Sequence, residues 1–213
     1  MAYFPMYIDI ENKTCLVIGG GDVAYRKVSI LLDFKADVKV VAPKVSDQIK
    51  SLSDITVYER EFLETDLVDC DIVIAATDSK DINHRVSLLC KEKKIMVNAV
   101  DEIKDCTFIF PSYIKQGDVV ASFSSSGNSP VVTQYLKEQN KNVVTEKLGR
   151  INDFLGNYRL LIKKLVDEPG KRKEIFKGLL RKGLDSKKIL EEKDIYEIVN
   201  DSINDKWYHW WFN

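Results

Sequence analysis

Histidine is scarce in this chain and cysteine is unpaired. The two histidines, His84 and His209, stand far apart, and Cys15, Cys70, Cys90 and Cys106 form no Cys-x-x-Cys pair. No zinc-ligand spacing follows from such a set, and His-Glu-x-x-His is absent. A Gly-x-Ser-x-Gly nucleophile elbow is also missing, as is the Gly-Lys-Ser/Thr ending of a P-loop. None of the tyrosines stands four residues before a lysine, which excludes dehydrogenases that use a Tyr-x-x-x-Lys pair. No apolar run approaches the roughly 18 residues of a membrane span, and no basic stretch leads into an apolar signal segment. Net charge is −1, from 32 basic and 33 acidic side chains, which excludes a protein that coats nucleic acid through its overall charge. Cys15 and Cys70 lie at or beside apolar runs, so buried thiols in a reducing cytoplasm are expected.

What is present is an alternation of strand and helix patterns. Short β-branched runs occur at 13–20, 37–43, 54–60, 70–78 and 94–101. Helical spacing of apolar residues occurs between them, at 22–34 and 82–93. The strands are apolar throughout, not at every second residue, so a parallel sheet covered on both faces is expected. The pattern changes after Pro111. Residues 116–126 read as an exposed strand. Ser129 and Pro130 then fit the N-cap and first position of a helix over 127–139. Beyond 143 only helical patterns remain, 148–166 among them. Within 159–188 eleven Lys or Arg face four Asp or Glu. That run is either a solvated helical face or a surface for an anionic ligand. The tail 206–213 is strongly aromatic.

The first strand ends in three glycines. Gly19, Gly21 and Ala24 match Gly-x-Gly-x-x-Gly/Ala between a strand and a helix. Gly19 allows the tight turn, Gly21 lets backbone approach a pyrophosphate, and Ala24 permits close helix–strand packing. The helix start offers free N–H groups and a positive dipole end. A glycine turn without ligand fits the same residues. The acid that often follows strand two for the ribose hydroxyls is replaced by "VVAPK". Ribose contacts then fall to backbone or to Pro43 and Lys44, and NAD and NADP both remain open.

In an open parallel sheet, ligands sit beyond the carboxyl ends of the strands. Those ends supply Gly19–Val23, Ala42–Lys44, Ala75–Asp78 and Asn98–Asp101, with Thr77 a further cofactor-binding candidate. Asp101 is the candidate base, since partly apolar neighbours would desolvate its carboxylate and raise its pKa. A turn or cap role suits the same position. His84, in an expected helix, reads as a surface or packing residue. The segment "SFSSSGNSP" (122–130) suits either a flexible loop or an anion contact, with Ser124, Ser125 and Asn128 as substrate-binding candidates.

Taken in order, "FPMYIDIENKTCLVIGGGDVAYRKV", "IVIAATD", "NHRVS", "VNAVDEIKDCTFIFPS" and "SFSSSGNSP" resemble the precorrin-2 dehydrogenase and sirohydrochlorin ferrochelatase family, which includes the N-terminal part of siroheme synthase. The resemblance covers most of the first 140 residues; 143–213 match by pattern and length. It implies a Rossmann-like α/β domain over 1–112, a dimerisation segment over 113–142 and a helical domain over 143–213. It implies NAD-dependent oxidation of the tetrapyrrole precorrin-2 by a homodimer; a cytoplasmic location without nucleic acid or membrane is the expectation from charge, cysteine usage and apolar runs. Asp101 is implied as the essential acid–base residue. Gly21, Asp22, Val23, Pro43 and Lys44 are implied as NAD contacts, in a family that does without the ribose acid. Some relatives also insert ferrous iron and some do not, so iron insertion stays open. A polycarboxylate substrate would give the basic helical stretch a purpose. The main competing reading is a regulatory module that senses NAD without consuming it; a third, a helical end that binds nucleic acid, lacks the interleaved aromatics of a base-stacking surface.

Overall fold

The structure is a computed structural model that describes residues 3–100 and 102–203. Asp101, His209 and the aromatic tail lie outside the described residues. The described chain divides into two compact units. The first is residues 1–110 with 126–128, and the second is 111–125 with 129–213.

In the first unit, β1 (Thr14–Ile18), β2 (Asp37–Val41), β3 (Ile55–Tyr58), β4 (Ile72–Ala75) and β5 (Met96–Ala99) form one parallel sheet in the order β3-β2-β1-β4-β5. The helices α1 (Asp22–Asp33), α2 (Asp47–Lys50) and α3 (Lys80–Glu92) lie between them in the chain. Each of the five expected strands is present, trimmed at its ends. The helix expected over 82–93 starts earlier, because the Ser79 hydroxyl caps it by accepting from Ile82 N–H at 3.4 Å. The short α2, capped by Ser46, had no periodic signal.

The apolar strands are explained by where alternate residues go. Cys15, Val17, Val38, Val40, Ile72 and Ile74 join one buried cluster together with Ala24, Val28 and Leu31 of α1. Leu16, Ile18, Val41, Val73, Ala75 and Val97 join the cluster on the opposite face, with Val86 and Cys90 of α3. Side chains on a strand point alternately to the two faces. With both faces covered, every position must be apolar, and each fully buried Val, Leu or Ile contributes roughly 1.5–3 kcal/mol. Ala24 is fully buried, as close packing of α1 on the sheet requires.

In the second unit, β6 (Ser112–Gln116) and β7 (Val119–Phe123) form an antiparallel hairpin with Gln116 opposite Val119. Gly117, at φ +59°, supplies the left-handed turn of the two-residue loop. β7 is the strand expected within 116–126, whereas β6 has no clear signal in the sequence, because "SYIKQ" alternates too weakly to stand out. Helix α4 (Pro130–Asn140) begins as expected, with Ser129 capping Val132 N–H and Pro130 in the first turn. The expected single helical stretch over 148–166 is two helices, α5 (Glu146–Asn157) and α6 (Arg159–Leu165). Gly156 and Asn157, both poor helix formers, precede the break. Tyr158 leaves the helical region there, at φ −95° and ψ 5°. Helices α7 (Pro169–Asp185) and α8 (Glu192–Ile203) follow. Ile162, Ile175, Leu179, Ile195 and Val199 form the buried cluster of these helices. Lys182 Nζ lies 2.7 Å from Asp194 Oδ1 and 2.6 Å from Glu197 Oε2. These partners raise its pKa above the usual lysine range.

Cys15 and Cys90 are fully buried, whereas Cys70 and Cys106 are half-buried. Burial pushes the Cys15 and Cys90 thiols up to about 12. Both are therefore neutral thiols at pH 8, and only the thiolate attacks a disulfide reagent. Ellman's reagent at pH 8 should leave these two unlabelled in the folded protein and titrate all four cysteines in denaturant. Fast labelling of Cys15 in the native chain would contradict this packing.

Candidate functional site

The parallel register aligns the carboxyl ends of the strands. Ile18 pairs with Val41 on one side and Ala75 on the other, and Ala75 pairs with Ala99. The segments that follow these residues therefore leave one rim of the sheet. They contain Gly19–Val23, Ala42–Lys44, Ala76–Asp78 and Val100, the residue before Asp101. The strand order reverses between β1 and β4, so the crevice expected for a ligand lies at Gly19.

Backbone packing at this crevice is close. Gly19 has φ +135°, and a Cβ there would lie 2.2 Å from Ala76 O. A Cβ on Gly20 would lie 2.0 Å from Lys44 O. Hydrogen bonds fix the arrangement: Gly19 N–H donates to Val41 O at 2.9 Å, Ala76 N–H to Ile18 O at 2.8 Å, and Ser46 N–H to Gly20 O at 2.9 Å. Gly20 was not among the expected site residues, yet no side chain fits there. The unbroken Gly-Gly-Gly run was the signal available for it.

Gly21 differs from its neighbours. A Cβ there would meet nothing within 4 Å. Gly21 is the N-cap of α1 and provides no side-chain cap, and its carbonyl accepts from Tyr25 N–H at 2.9 Å. The first turn of α1 thus presents backbone N–H groups and a positive dipole end to open space. A diphosphate fits this cradle: space in front, donors behind, and walls too tight for side chains. Asp22 is exposed in the first turn and Val23 is half-buried. Pro43 and Lys44 are exposed on the neighbouring loop, beside Gly20.

Thr77 is held by Asn83, which is not among the expected site residues. Asn83 is buried, at 4% exposure. Its Oδ1 accepts from Thr77 N–H at 3.1 Å and lies 2.7 Å from Thr77 Oγ1, while its amide donates to Thr77 O at 2.9 Å. Thr77 Oγ1 also accepts from Ser79 N–H at 3.2 Å. The Thr77 side chain is therefore committed to shaping the loop after β4, which leaves the loop surface to face a ligand. Only its place in "NHRVS" marked Asn83 in the sequence.

Asp101 itself is not described, but both of its flanks are fixed. Val100 N–H donates to Ala75 O at 2.9 Å. On the other side, Glu102 forms ion pairs with Lys80 at 3.5 Å and Lys104 at 3.6 Å. Cys106 Sγ accepts from Ala99 N–H at 3.2 Å and lies 3.4 Å from Glu102 O. Asp105, at 4% exposure, receives His84 Nδ1 at 2.8 Å on its carboxylate and Ser87 Oγ at 2.7 Å on its carbonyl. His84 thus anchors the segment after Asp101, which gives substance to the packing role expected of it.

The serine segment is divided between the two units. Ser124 is exposed and Ser125 half-buried just after β7, in the second unit, while Asn128 is exposed in the short stretch grouped with the first. Ser125 Oγ donates to Ser129 O and accepts from Ser129 N–H, both at 3.0 Å, and so closes the turn before α4. Among the described residues no His, Cys, Asp and Glu group could hold a metal ion. No described helix is long and apolar enough to cross a membrane.

Residues 6–112 match a family model described as "Putative NAD(P)-binding". A siroheme synthase of Nitrosococcus oceani is 37% identical over 169 residues, which is 78% of this chain and 36% of that protein. A siroheme synthase of Ruthia magnifica is 33% identical over 208 residues, 94% of this chain and 44% of that protein. The chain thus spans less than half the length of either relative. Among solved structures, SirC, a precorrin-2 dehydrogenase, superposes with a TM-score of 0.73 at 24% identity, covering 95% of this chain and 100% of its own. That likeness is one of fold: the parallel sheet and the helical C-terminal part recur together.

The two adjacent glycines should separate structure from binding. Gly20→Ala forces backbone apart at Lys44 and should lower stability by about 1–3 kcal/mol. Gly21→Ala has room and should stay within about 1 kcal/mol of the wild type, while NAD⁺ affinity falls by about tenfold or more. Thermal melts and calorimetric titration of NAD⁺ check both. Unchanged affinity in a folded Gly21→Ala protein would remove the cradle.

Proposed function

The chain belongs to the NAD(P)-binding family matched over residues 6–112, and on that premise we propose that it oxidises precorrin-2 to sirohydrochlorin with NAD⁺ in siroheme biosynthesis. The observation that carries this reading is the open space at Gly21 on the first turn of α1, at the switch point of the sheet. Kinship with siroheme synthases supplies the substrate class. NAD⁺, when bound, supplies the acceptor for a hydride. The chain's own residues do the rest. Backbone N–H groups from Gly21 to Val23 hold the diphosphate, with Asp22 in the first turn adding backbone and not its carboxylate. Pro43 and Lys44 border the ribose, where no acid stands. Thr77, fixed by Asn83, shapes the opposite wall.

Asp101 is the proton acceptor in this reading. Loss of a hydride from the macrocycle leaves a cation that must also lose a proton, and the Asp101 carboxylate takes it. One precorrin-2 and one NAD⁺ then yield one sirohydrochlorin, one NADH and one proton. Ser124, Ser125 and Asn128 serve as contacts for substrate carboxylates. In Ser125 the hydroxyl is already engaged, so its own contact is through the turn it closes. The same Asp101 would accept the pyrrole protons displaced when ferrous iron enters as a second substrate. Residues 1–112 form the NAD-binding domain, 113–142 the dimerisation segment of a cytoplasmic homodimer, and 143–213 the helical domain.

Asp101→Asn keeps the shape of the side chain and removes its basicity. Under anaerobic conditions the variant should form sirohydrochlorin at least about 10²-fold more slowly than wild type, with NAD⁺ affinity retained. A near wild-type rate would remove Asp101 from the chemistry. NAD⁺ binding by the wild type without any turnover would favour the sensing module instead.

A further inference from the structure

The helical unit contains a groove that the dinucleotide site does not use. It has a volume of about 530 Å³ and runs between α6 and α7. Five cations line it: Arg159, Lys163, Arg172, Lys173 and Lys177. No carboxylate is among its lining residues. Its floor is apolar, formed by Leu155, Phe176 and Leu180, all half-buried. The spacing explains the arrangement. Residues 173, 176, 177 and 180 share one face of α7, and 159 and 163 share one face of α6.

Other cations of these helices do meet carboxylates: Lys171 pairs with Glu168 at 3.8 Å, and Lys182 with Asp194 and Glu197. At the groove, Lys177 pairs with Glu174 at 3.0 Å, and Arg172 Nη1 donates to Val166 O at 3.4 Å. Arg159, Lys163 and Lys173 have no ion-pair partner among the described residues. Like charges one turn apart, as at Arg159 and Lys163, destabilise a helix slightly. The groove therefore gathers uncompensated positive charge around an apolar floor of ligand-sized volume.

We propose that this groove is a binding site for a small polycarboxylate with a flat apolar body. The floor takes the body and the cations take the carboxylates at its edge. Resting on the function proposed above, the occupant is the tetrapyrrole, held on the helical unit at a second position distinct from the dinucleotide rim. A nucleic acid fits less well, because the groove offers no row of exposed aromatic rings for base stacking.

The test uses the full chain and uroporphyrin, a stable tetrapyrrole polycarboxylate, with binding followed by its fluorescence. The groove variant is Arg159→Gln, Lys163→Gln and Lys173→Gln together. A charge-matched control replaces the exposed Lys164, Lys187 and Lys188 by Gln, none of which lines the groove. Melting curves confirm that both fold. The expected result is two uroporphyrin molecules per wild-type chain, two per control chain and one per groove variant. Citrate, which lacks an apolar body, should leave the groove-bound molecule in place even at about 100-fold the uroporphyrin concentration. Equal stoichiometry in wild type and groove variant, or equal losses in variant and control, would overturn the proposal. A fall from one to none would instead support the groove and count against tetrapyrrole binding at the dinucleotide rim.

Discussion

The close passage of backbone past backbone at the end of β1 is the constraint on which the site depends. Gly19 and Gly20 lie where a Cβ would overlap the carbonyl oxygens of Ala76 and Lys44. That contact brings the loops after β2 and β4 against the turn after β1. The turn then enters α1 without a side chain at Gly21, and the helix starts with its N–H groups uncovered. A phosphate cradle results from two tight contacts and one vacancy, all made of backbone. Because the donors belong to the main chain, no charged side chain is needed to hold an anion. This accounts for a dinucleotide site in a chain that lacks the ribose acid, the P-loop lysine and every familiar metal-ligand spacing.

The first unit was legible in the sequence because its strands are buried on both sides. A strand such as "CLVI" must be apolar at each position when Cys15 and Val17 pack on α1 while Leu16 and Ile18 pack beneath α3. The glycine turn was legible for a related reason, since only glycine satisfies the local geometry. Three things were not. Gly20 was masked by a pattern that scores only Gly19, Gly21 and Ala24. Asn83 and Asp105 are buried polar residues whose partners, Thr77 and His84, are found only once the helix and the loops are folded. The β6 strand has too little alternation to declare itself, and it exists because β7 pairs with it.

The helical unit shows the opposite relation between sequence and meaning. Its excess of basic residues was plain from composition, but composition cannot say whether the charges face water or one another. The fold distributes them unevenly. Lys171 and Lys182 meet carboxylates, whereas Arg159, Lys163 and Lys173 converge on Phe176 and its neighbours. The break at Tyr158 contributes here, because it ends α5 at Asn157 and starts a new helix at Arg159.

The central claim is that the glycine turn binds a nucleotide that is consumed and not merely sensed. The most direct measurement mixes the full chain anaerobically with precorrin-2 and either NAD⁺ or NADP⁺, and follows the absorption of sirohydrochlorin and of reduced nicotinamide together. The account predicts that both rise in equal amounts with NAD⁺. Saturable NAD⁺ binding with neither product formed would contradict it.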